Sequence, residues 1–323
     1  MKPKVYVTRP LPAPALEMLS NACEVRSYSQ DAAIPAVQLA EECREVEGIL
    51  VNSAKVNEEV LMAAPRLRAI SNCGVGYDNI DVAACNRRRI PITNTAGSLE
   101  ETTADLAFML LLATARRAIE ADRYVREGRW DRWQWGLMHG LDVHHKTLGL
   151  VGFGGIGQPM ARRGLGFSMR VLYFARHRAE QSVERELHAE YVGLDTLLRK
   201  SDYVSLHVPL TPETRHIIDN KALGLMKSTA ILVNTARGPV VDEEALVQAL
   251  SSRRIAGAGL DVFEGEPRVN QNLVGLENVV LAPHIGSATG ETRLRMATLA
   301  VKNLLDMLAG ERPANVVNPE IYS

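Results

Sequence analysis

Short strand-like runs of four or five residues, most of them largely apolar, alternate with stretches of helical periodicity along the chain. The first group comprises Lys4–Val7, Glu24–Ser27, Gly48–Val51, Arg68–Ser71 and Arg89–Ile92, each followed by helical or turn sequence. A strand covered on both faces needs no polar alternation, so this pattern predicts parallel strands joined by crossover helices. A second group, Thr147–Val151, Arg170–Phe174, Tyr203–Leu206, Thr229–Val233, Ala256–Leu260 and Asn278–Ala282, predicts a six-stranded doubly wound sheet. Between the groups, Leu99 to Glu127 has few breakers and reads as a long helix or helix pair. Near the end, Leu294, Ala297, Val301, Leu304, Leu305 and Leu308 fall at helical spacing and are closed by Gly310 and Pro313. That tail cannot extend the second sheet, so it is expected to pack back on the first. The predicted fold is α/β, with two Rossmann-like or flavodoxin-like parallel-sheet domains. Residues 1–98 and 290–323 form one domain, 99–289 the other, and an active site is expected in the cleft between them.

Gly152, Gly154 and Gly157 stand in the order G-x-G-x-x-G between an apolar run and a helical stretch. Glycine turns also arise for structural reasons alone; the strand before and the helix after are what point to a dinucleotide. The first glycine permits a tight turn, the second lets the backbone approach a pyrophosphate, and the third allows close helix packing. The helix N-terminus adds unpaired N–H groups and partial positive charge. A chain that prefers NAD usually ends the next strand with Asp or Glu to hold the ribose 2′-hydroxyl. Here Ala175 stands at that point, followed by Arg176, His177 and Arg178, with no carboxylate before Glu180. Guanidinium groups can grip a 2′-phosphate, so NADP(H) is the favoured cofactor, with NAD(H) as the alternative; a solvated basic loop is the plain reading.

Composition narrows the class further. Lys plus Arg is 37 and Asp plus Glu is 38, for a formal net charge of −1 over 323 residues. That balance gives no footprint for nucleic acid or a membrane surface. Cys23, Cys43, Cys73 and Cys85 lack C-x-x-C spacing and follow no secretory signal, which suits reduced thiols in a cytoplasmic protein with no bound metal. The longest apolar run, Leu106–Ala113, is far short of the roughly 20 residues that span a bilayer.

In an open α/β sheet, ligands bind outside the carboxyl ends of the strands. Three late strands deliver polar residues there: Arg237, Glu266 and His284. Reducing a ketone with NADPH needs a hydride, a proton for the growing alkoxide and a hold on the substrate. Imidazole suits the proton, and a neighbouring carboxylate such as Glu266 favours the protonated ring. Arg237 offers a two-pronged donor for a 2-keto acid while polarising its carbonyl. Singly, these could be a loop-capping salt bridge, a solvated turn and a core histidine; strand-end placement of all three argues for a site.

The stretches Gly152–Gly157, Asn234–Pro239, Leu260–Pro267 and Pro283–Thr289 together resemble the D-isomer-specific 2-hydroxyacid dehydrogenases, end to end. Asp142–Gly149 and the Ala175–Arg178 loop are similar to the glyoxylate/hydroxypyruvate reductase branch, including bacterial enzymes that also reduce 2-ketogluconate. The resemblance implies a 2-keto acid reductase in which Arg237 binds substrate, Glu266 partners the histidine and His284 is the acid/base. It further implies that Val75 and Gly76 offer backbone N–H groups to the substrate carboxylate and that Asn52 and Ser53 line the same pocket. Asp261 would meet the nicotinamide carboxamide, and Thr103 would lie near the cofactor phosphates. Ile156, Pro209 and Thr235 complete the implied cofactor site. One departure is Gly155, where the family often carries an arginine that touches the pyrophosphate.

Trp130, Trp133 and Trp135 are the only tryptophans and lie in one predicted loop. Large aromatics on loops often anchor interfaces. In the resembling reductases a tryptophan here reaches into the neighbouring active site, and Trp133 matches it best, which implies a homodimer in which Trp133 of the partner subunit completes the substrate site. Covering the long helix within one subunit is the plainer role. Other functions with similar glycine loops are disfavoured. A dinucleotide-sensing binding protein would not need the intact Arg, Glu and His, and a methyltransferase would not need two α/β lobes. A formate dehydrogenase would lack Glu266, and serine-pathway phosphoglycerate dehydrogenases often carry a regulatory domain for which this chain has no room. An NAD-dependent dehydrogenase of another 2-hydroxy acid remains open.

Overall fold

The computed structural model describes residues 1–323, which divide into two compact units, Met1–Leu99 with Ser287–Ser323, and Glu100–Gly286. The first unit holds strands β1 (Lys4–Val7), β2 (Glu24–Ser27), β3 (Gly48–Val51), β4 (Ala69–Asn72) and β5 (Ile92–Thr93). They pair in parallel in the order β2-β1-β3-β4-β5, the flavodoxin-like arrangement. Two of the short helices between them start where a side chain takes an orphan amide, Asn57 from Val60 N–H and Asp81 from Ala84 N–H, and the other two start after Pro12 and Pro35. The Gly290–Leu308 helix, capped by Thr289, lays Met296, Ala297, Ala300, Val301 and Leu304 on β3 and β4. Leu304 comes so near Gly48 that a Cβ there would meet its Cδ1 at 3.1 Å, and Ser71 Oγ donates to the Ala300 carbonyl at 2.7 Å.

The second unit holds β6 (Thr147–Val151), β7 (Arg170–Phe174), β8 (Ala189–Tyr191), β9 (Tyr203–Leu206), β10 (Ile231–Asn234), β11 (Gly257–Leu260) and β12 (Val279–Leu281). All pairings are parallel, in the order β12-β11-β10-β9-β6-β7-β8, so the sheet reverses direction of growth beside β6, where a doubly wound fold receives its ligand. Two apolar layers cover its faces: Val204, Leu206, Leu232 and Leu260 lie in one, Leu148, Leu150, Ile231 and Val233 in the other. The Glu100–Ala115 helix is buried on most of its surface in the second layer. It ends where Arg117 adopts φ 53°, and a second helix, Ala118–Arg126, follows without a buried residue.

The expected alternation is present, with two differences of detail. The sheet has seven strands rather than six, because Ala189–Tyr191 is a short edge strand with two exposed residues and no apolar run. The run at Arg89–Ile92 becomes a strand only at Ile92, since Arg89 turns at φ 54°. The long stretch takes the second of its two expected forms, a helix pair. No helix is long and apolar enough to cross a membrane.

Candidate active site

At the end of β6, Gly152 has φ 98°, and a Cβ there would fall 2.4 Å from the His207 carbonyl oxygen. Both facts demand glycine. Gly154 has open space where a side chain would begin, whereas a Cβ on Gly157 would meet the Gly152 carbonyl at 2.2 Å. The turn thus leaves one face of backbone bare just before the Gly157–Gly166 helix, with Ile156 at its start. That is the shape a pyrophosphate needs. Gly155 is tighter: its Cβ would touch Glu100 Cγ at 3.0 Å.

Two enclosed polar atoms fit the same ligand. His207 Nδ1 and Thr235 Oγ1 lie at the carboxyl ends of the neighbouring strands β9 and β10 and have no protein partner. Burial pushes His207 down to about 3, so its ring is neutral. Buried polar groups without a partner are rare in native proteins, and a bound dinucleotide along these strand ends would offer them one. Pro209 follows β9 exposed, its carbonyl taken by Thr214 Oγ1. Past β7, Ala175 is half-buried and Arg176, His177 and Arg178 are exposed. Arg178 is engaged: its Nε and Nη2 donate to the two carboxylate oxygens of Glu184, each at 2.8 Å.

The three strands at the other end of the sheet bring the charged trio together. His284 Nδ1 lies 2.8 Å from Glu266 Oε2, and the second oxygen of Glu266 accepts the Phe263 N–H at 2.9 Å. Burial would raise the Glu266 carboxyl, but the hydrogen bond and charge of His284, the Phe263 amide and Arg237 together hold it below the ordinary carboxylate range. Glu266 is therefore an anion locked in one orientation, and His284 Nε2, on the far side of the ring, is left for chemistry. Half of the His284 side chain is exposed. Arg237 leads into a turn fixed by Asn234, whose Nδ2 donates to the Arg237 carbonyl and whose Oδ1 accepts from Ala236 N–H.

Asp261, directly after β11, shows a role that its sequence position did not disclose. Its carboxylate accepts the N–H groups of Ile285 and Gly286 at 2.7 and 2.8 Å, and its carbonyl accepts the His284 N–H. This holds His284 in a left-handed conformation, φ 54°. Thr103 packs behind the same turn: a Cβ on Gly286 would meet its Cγ2 at 3.3 Å. Burial raises the Asp261 carboxyl despite the opposing pull of the two amides and His284.

In the first unit, Asn52 and Ser53 follow β3, with Ser53 at φ 57°, and Gly74–Gly76 follow the neighbouring β4. Asn72 Nδ2 donates to the carbonyls of Gly74 and Gly76, and Asn94 Nδ2 to that of Val75. The carbonyls are pinned, while the Val75 and Gly76 N–H groups have no protein acceptor. Consecutive free amides of this kind form a nest for an anion. The roles of Asn72 and Asn94 were not read from the sequence; an Asn at a strand end before a glycine pair is the signal that could have exposed the first.

Trp130, Trp133 and Trp135 are 56, 71 and 82% exposed, and the last two meet edge to face with centroids 5.9 Å apart. Trp130 lines a cavity with Ala121, Tyr124 and Val125 of the second helix and so covers part of it, whereas Trp133 and Trp135 are the more exposed pair. No cluster of His, Cys, Asp and Glu has the makings of a metal site.

Comparison with known proteins adds independent evidence. Residues 108–286 match the family model described as D-isomer specific 2-hydroxyacid dehydrogenase, NAD binding domain. The chain is 50% identical over 328 residues to a glyoxylate reductase of Thermococcus litoralis, covering 100% of this chain and 99% of that one. A glyoxylate reductase of Thermococcus kodakarensis is 51% identical over 326 residues, covering 99 and 98%. Among solved structures, an NADPH-dependent glyoxylate/hydroxypyruvate reductase from Sinorhizobium meliloti, in complex with NADP and malonate, is similar at TM-score 0.89 and 34% identity. That match covers 98% of this chain and 97% of the other.

Proposed function

The chain belongs to the D-isomer-specific 2-hydroxyacid dehydrogenases, NAD(P)-dependent oxidoreductases, and we propose that it is an NADPH-preferring reductase of a small 2-keto acid, with His284 as proton donor. Glyoxylate, hydroxypyruvate and 2-ketogluconate are the proposed substrates, each giving a D-2-hydroxy acid or, for glyoxylate, glycolate. The observation that carries this reading is the 2.8 Å contact between His284 Nδ1 and Glu266 Oε2.

The dinucleotide, when bound, supplies a hydride to the substrate carbonyl carbon. The turn Gly152, Gly154, Gly155, Ile156 and Gly157 would hold its pyrophosphate on backbone N–H groups, with Pro209, Thr235 and Asp261 past the strand ends and Thr103 on the Glu100–Ala115 helix. Arg176, His177 and Arg178 after Ala175 would receive the 2′-phosphate. As the carbonyl oxygen gains charge, His284 Nε2 delivers a proton to it, and Glu266 stabilises the imidazolium and fixes the ring. Arg237 grips the keto acid and polarises its carbonyl. The N–H groups of Val75 and Gly76 take the substrate carboxylate, with Asn52 and Ser53 beside them.

We also propose that the protein acts as a homodimer in the cytoplasm. Three exposed tryptophans in one loop are costly in water and suit burial against a second copy, in which Trp133 of the partner subunit would line the substrate site. Four buried free cysteines accord with a reducing compartment.

The test is consumption of NADPH and of NADH, each with hydroxypyruvate, glyoxylate and 2-ketogluconate, followed by absorbance. Oxidation of NADPH with any of the three, at higher kcat/KM than NADH, supports the reading. A strong NADH preference overturns the cofactor assignment, and no turnover with any pair overturns the substrate assignment.

A further inference from the structure

The basic loop after β7 is built on a buried carboxylate. Glu184 is 8% exposed, and its two oxygens take Nε and Nη2 of Arg178, whose side chain is 66% exposed. From beneath, Tyr173 Oη donates to Glu184 Oε1 at 2.5 Å and accepts the Ala179 N–H at 2.9 Å. Tyr191 Oη reaches the Ala175 carbonyl at 3.2 Å. The Tyr173 ring is stacked at 4.0 Å on Phe153, which sits between the first two fingerprint glycines. The glycine turn and the basic loop are thereby one connected scaffold. Arg178 and Tyr173 hold the Glu184 carboxyl down at about 2, so it is an anion at any working pH.

We propose that Glu184 is a positioning residue for the cofactor's 2′-phosphate: it clasps the inner edge of Arg178 so that the outer edge, Nη1 and the remaining Nη2 proton, is presented ready-oriented to that group. The inference rests on the NADPH reading above and deepens it. A guanidinium has five N–H donors in a rigid fork; Glu184 uses two and leaves three, of which one on Nη1 and one on Nη2 form the paired end edge of the fork. An exposed arginine would otherwise lose its rotamer freedom on gripping the ligand, and the clasp removes that cost in advance. Glu184 also exerts an opposing effect, because its charge repels a phosphate. The two effects have opposite signs, which makes the proposal decidable. The Glu184 charge is spent on the guanidinium that stands between it and the phosphate, so the phosphate meets the positive end of the pair and orientation dominates.

The experiment compares wild type, Glu184→Gln and Arg178→Lys by KM and kcat for NADPH and NADH, with thermal unfolding alongside. The amide keeps the shape but loses the charge pairing, and the ammonium keeps the charge but loses the paired edges. Both variants are expected to raise KM for NADPH about tenfold, the size of one charge-assisted hydrogen bond. The loss should fall in KM rather than in kcat, and KM for NADH should stay near the wild-type value. Glu184→Gln lowering KM for NADPH would make Glu184 a mere counter-charge and overturn the proposal. An equal rise for both cofactors with a lower Tm would make it a scaffold residue and also overturn it. A wild type that does not favour NADPH would overturn the cofactor reading itself, a result visible before any variant is made.

Discussion

Gly238 and Phe263 are in backbone contact: a Cβ added to Gly238 would fall 1.9 Å from the Phe263 carbonyl carbon and 2.4 Å from the Glu264 nitrogen. Gly238 directly follows Arg237, and Phe263 N–H is the group that fixes Glu266, so this contact joins the turn carrying the arginine to the turn carrying the carboxylate. No side-chain rotation can relieve a clash with backbone. Gly238→Ala is therefore expected to push the two turns apart, destabilise the protein by about 1–3 kcal/mol, and lower kcat more than it lowers binding of the dinucleotide. Unfolding midpoint, kcat and cofactor Kd measured on the same preparation check this. A variant with wild-type kcat would show that the spacing of the two turns is not needed.

His284→Ala is expected to lower kcat for reduction about 10²-fold or more, the usual loss for a general acid. Glu266→Gln is the more telling change. It keeps the shape but removes the charge that pairs with and orients the ring, so kcat should fall while binding of the dinucleotide stays near the wild-type value. In the wild type the pH dependence on the acid side follows from Glu266 itself. Its carboxyl lies below the ordinary 4.5, so its ionised form, and the stability it contributes, persists as pH falls through 4.5 and fades only below it. An unchanged kcat in Glu266→Gln would remove Glu266 from the proton-transfer step.

The strand alternation, the fingerprint glycines and the strand-end placement of Arg237, Glu266 and His284 were legible because each rests on local sequence. Strand runs need only continuous apolar residues, and a tight turn demands glycine whatever lies around it. What escaped depends on pairing at a distance. Ala189–Tyr191 is a strand because β7 offers it an edge, not because Ala-Glu-Tyr favours one. Asp261 was read only as a group meeting the nicotinamide carboxamide; that its oxygens also take two amides more than twenty residues on is announced by no spacing rule. Glu184 was passed over for the same reason: six residues beyond Arg178, on a helix, it looked like surface charge, and only Tyr173 beneath it reveals a buried carboxylate.

Cofactor choice should be alterable at the end of β7. Arg176 is exposed and follows Ala175, the point at which an NAD-binding chain would carry an acid. Arg176→Ala is expected to reduce the NADPH-over-NADH ratio of kcat/KM about tenfold or more. Ala175→Asp should go further, because it both accepts the ribose hydroxyl and repels a phosphate. If neither variant changes the ratio, the basic loop does not read the 2′-phosphate.

Trp133 tests assembly. At 71% exposure its indole contributes little to the fold of its own chain, so Trp133→Ala is expected to leave the unfolding midpoint nearly unchanged while weakening self-association or raising KM for the keto acid. Sedimentation velocity and steady-state kinetics on the same samples decide it. Wild-type behaviour in both would assign the exposed loop some other role.

Gly155 poses a last question, because it stands in the turn proposed to hold the pyrophosphate, and the Glu100 side chain comes within 3.0 Å of the space its Cβ would fill. That neighbour is a methylene of a flexible side chain and can give way, so Gly155→Arg should fold. Its guanidinium would then have two anions to choose between, the pyrophosphate and the Glu100 carboxylate, whose Oε1 is 3.6 Å from the same point. Glu100 is permanently present, so it should claim part of the new charge and hold the gain in cofactor affinity below about tenfold, the worth of one unshared charge-assisted contact. Gly155→Arg with Glu100→Gln should recover the remainder. Because the pyrophosphate is common to both dinucleotides, NADPH and NADH should gain alike, which separates this effect from any change at the Ala175–Arg178 loop. Titration of both cofactors into the two variants is the check; a gain confined to NADPH would mean that the new arginine reaches the 2′-phosphate instead.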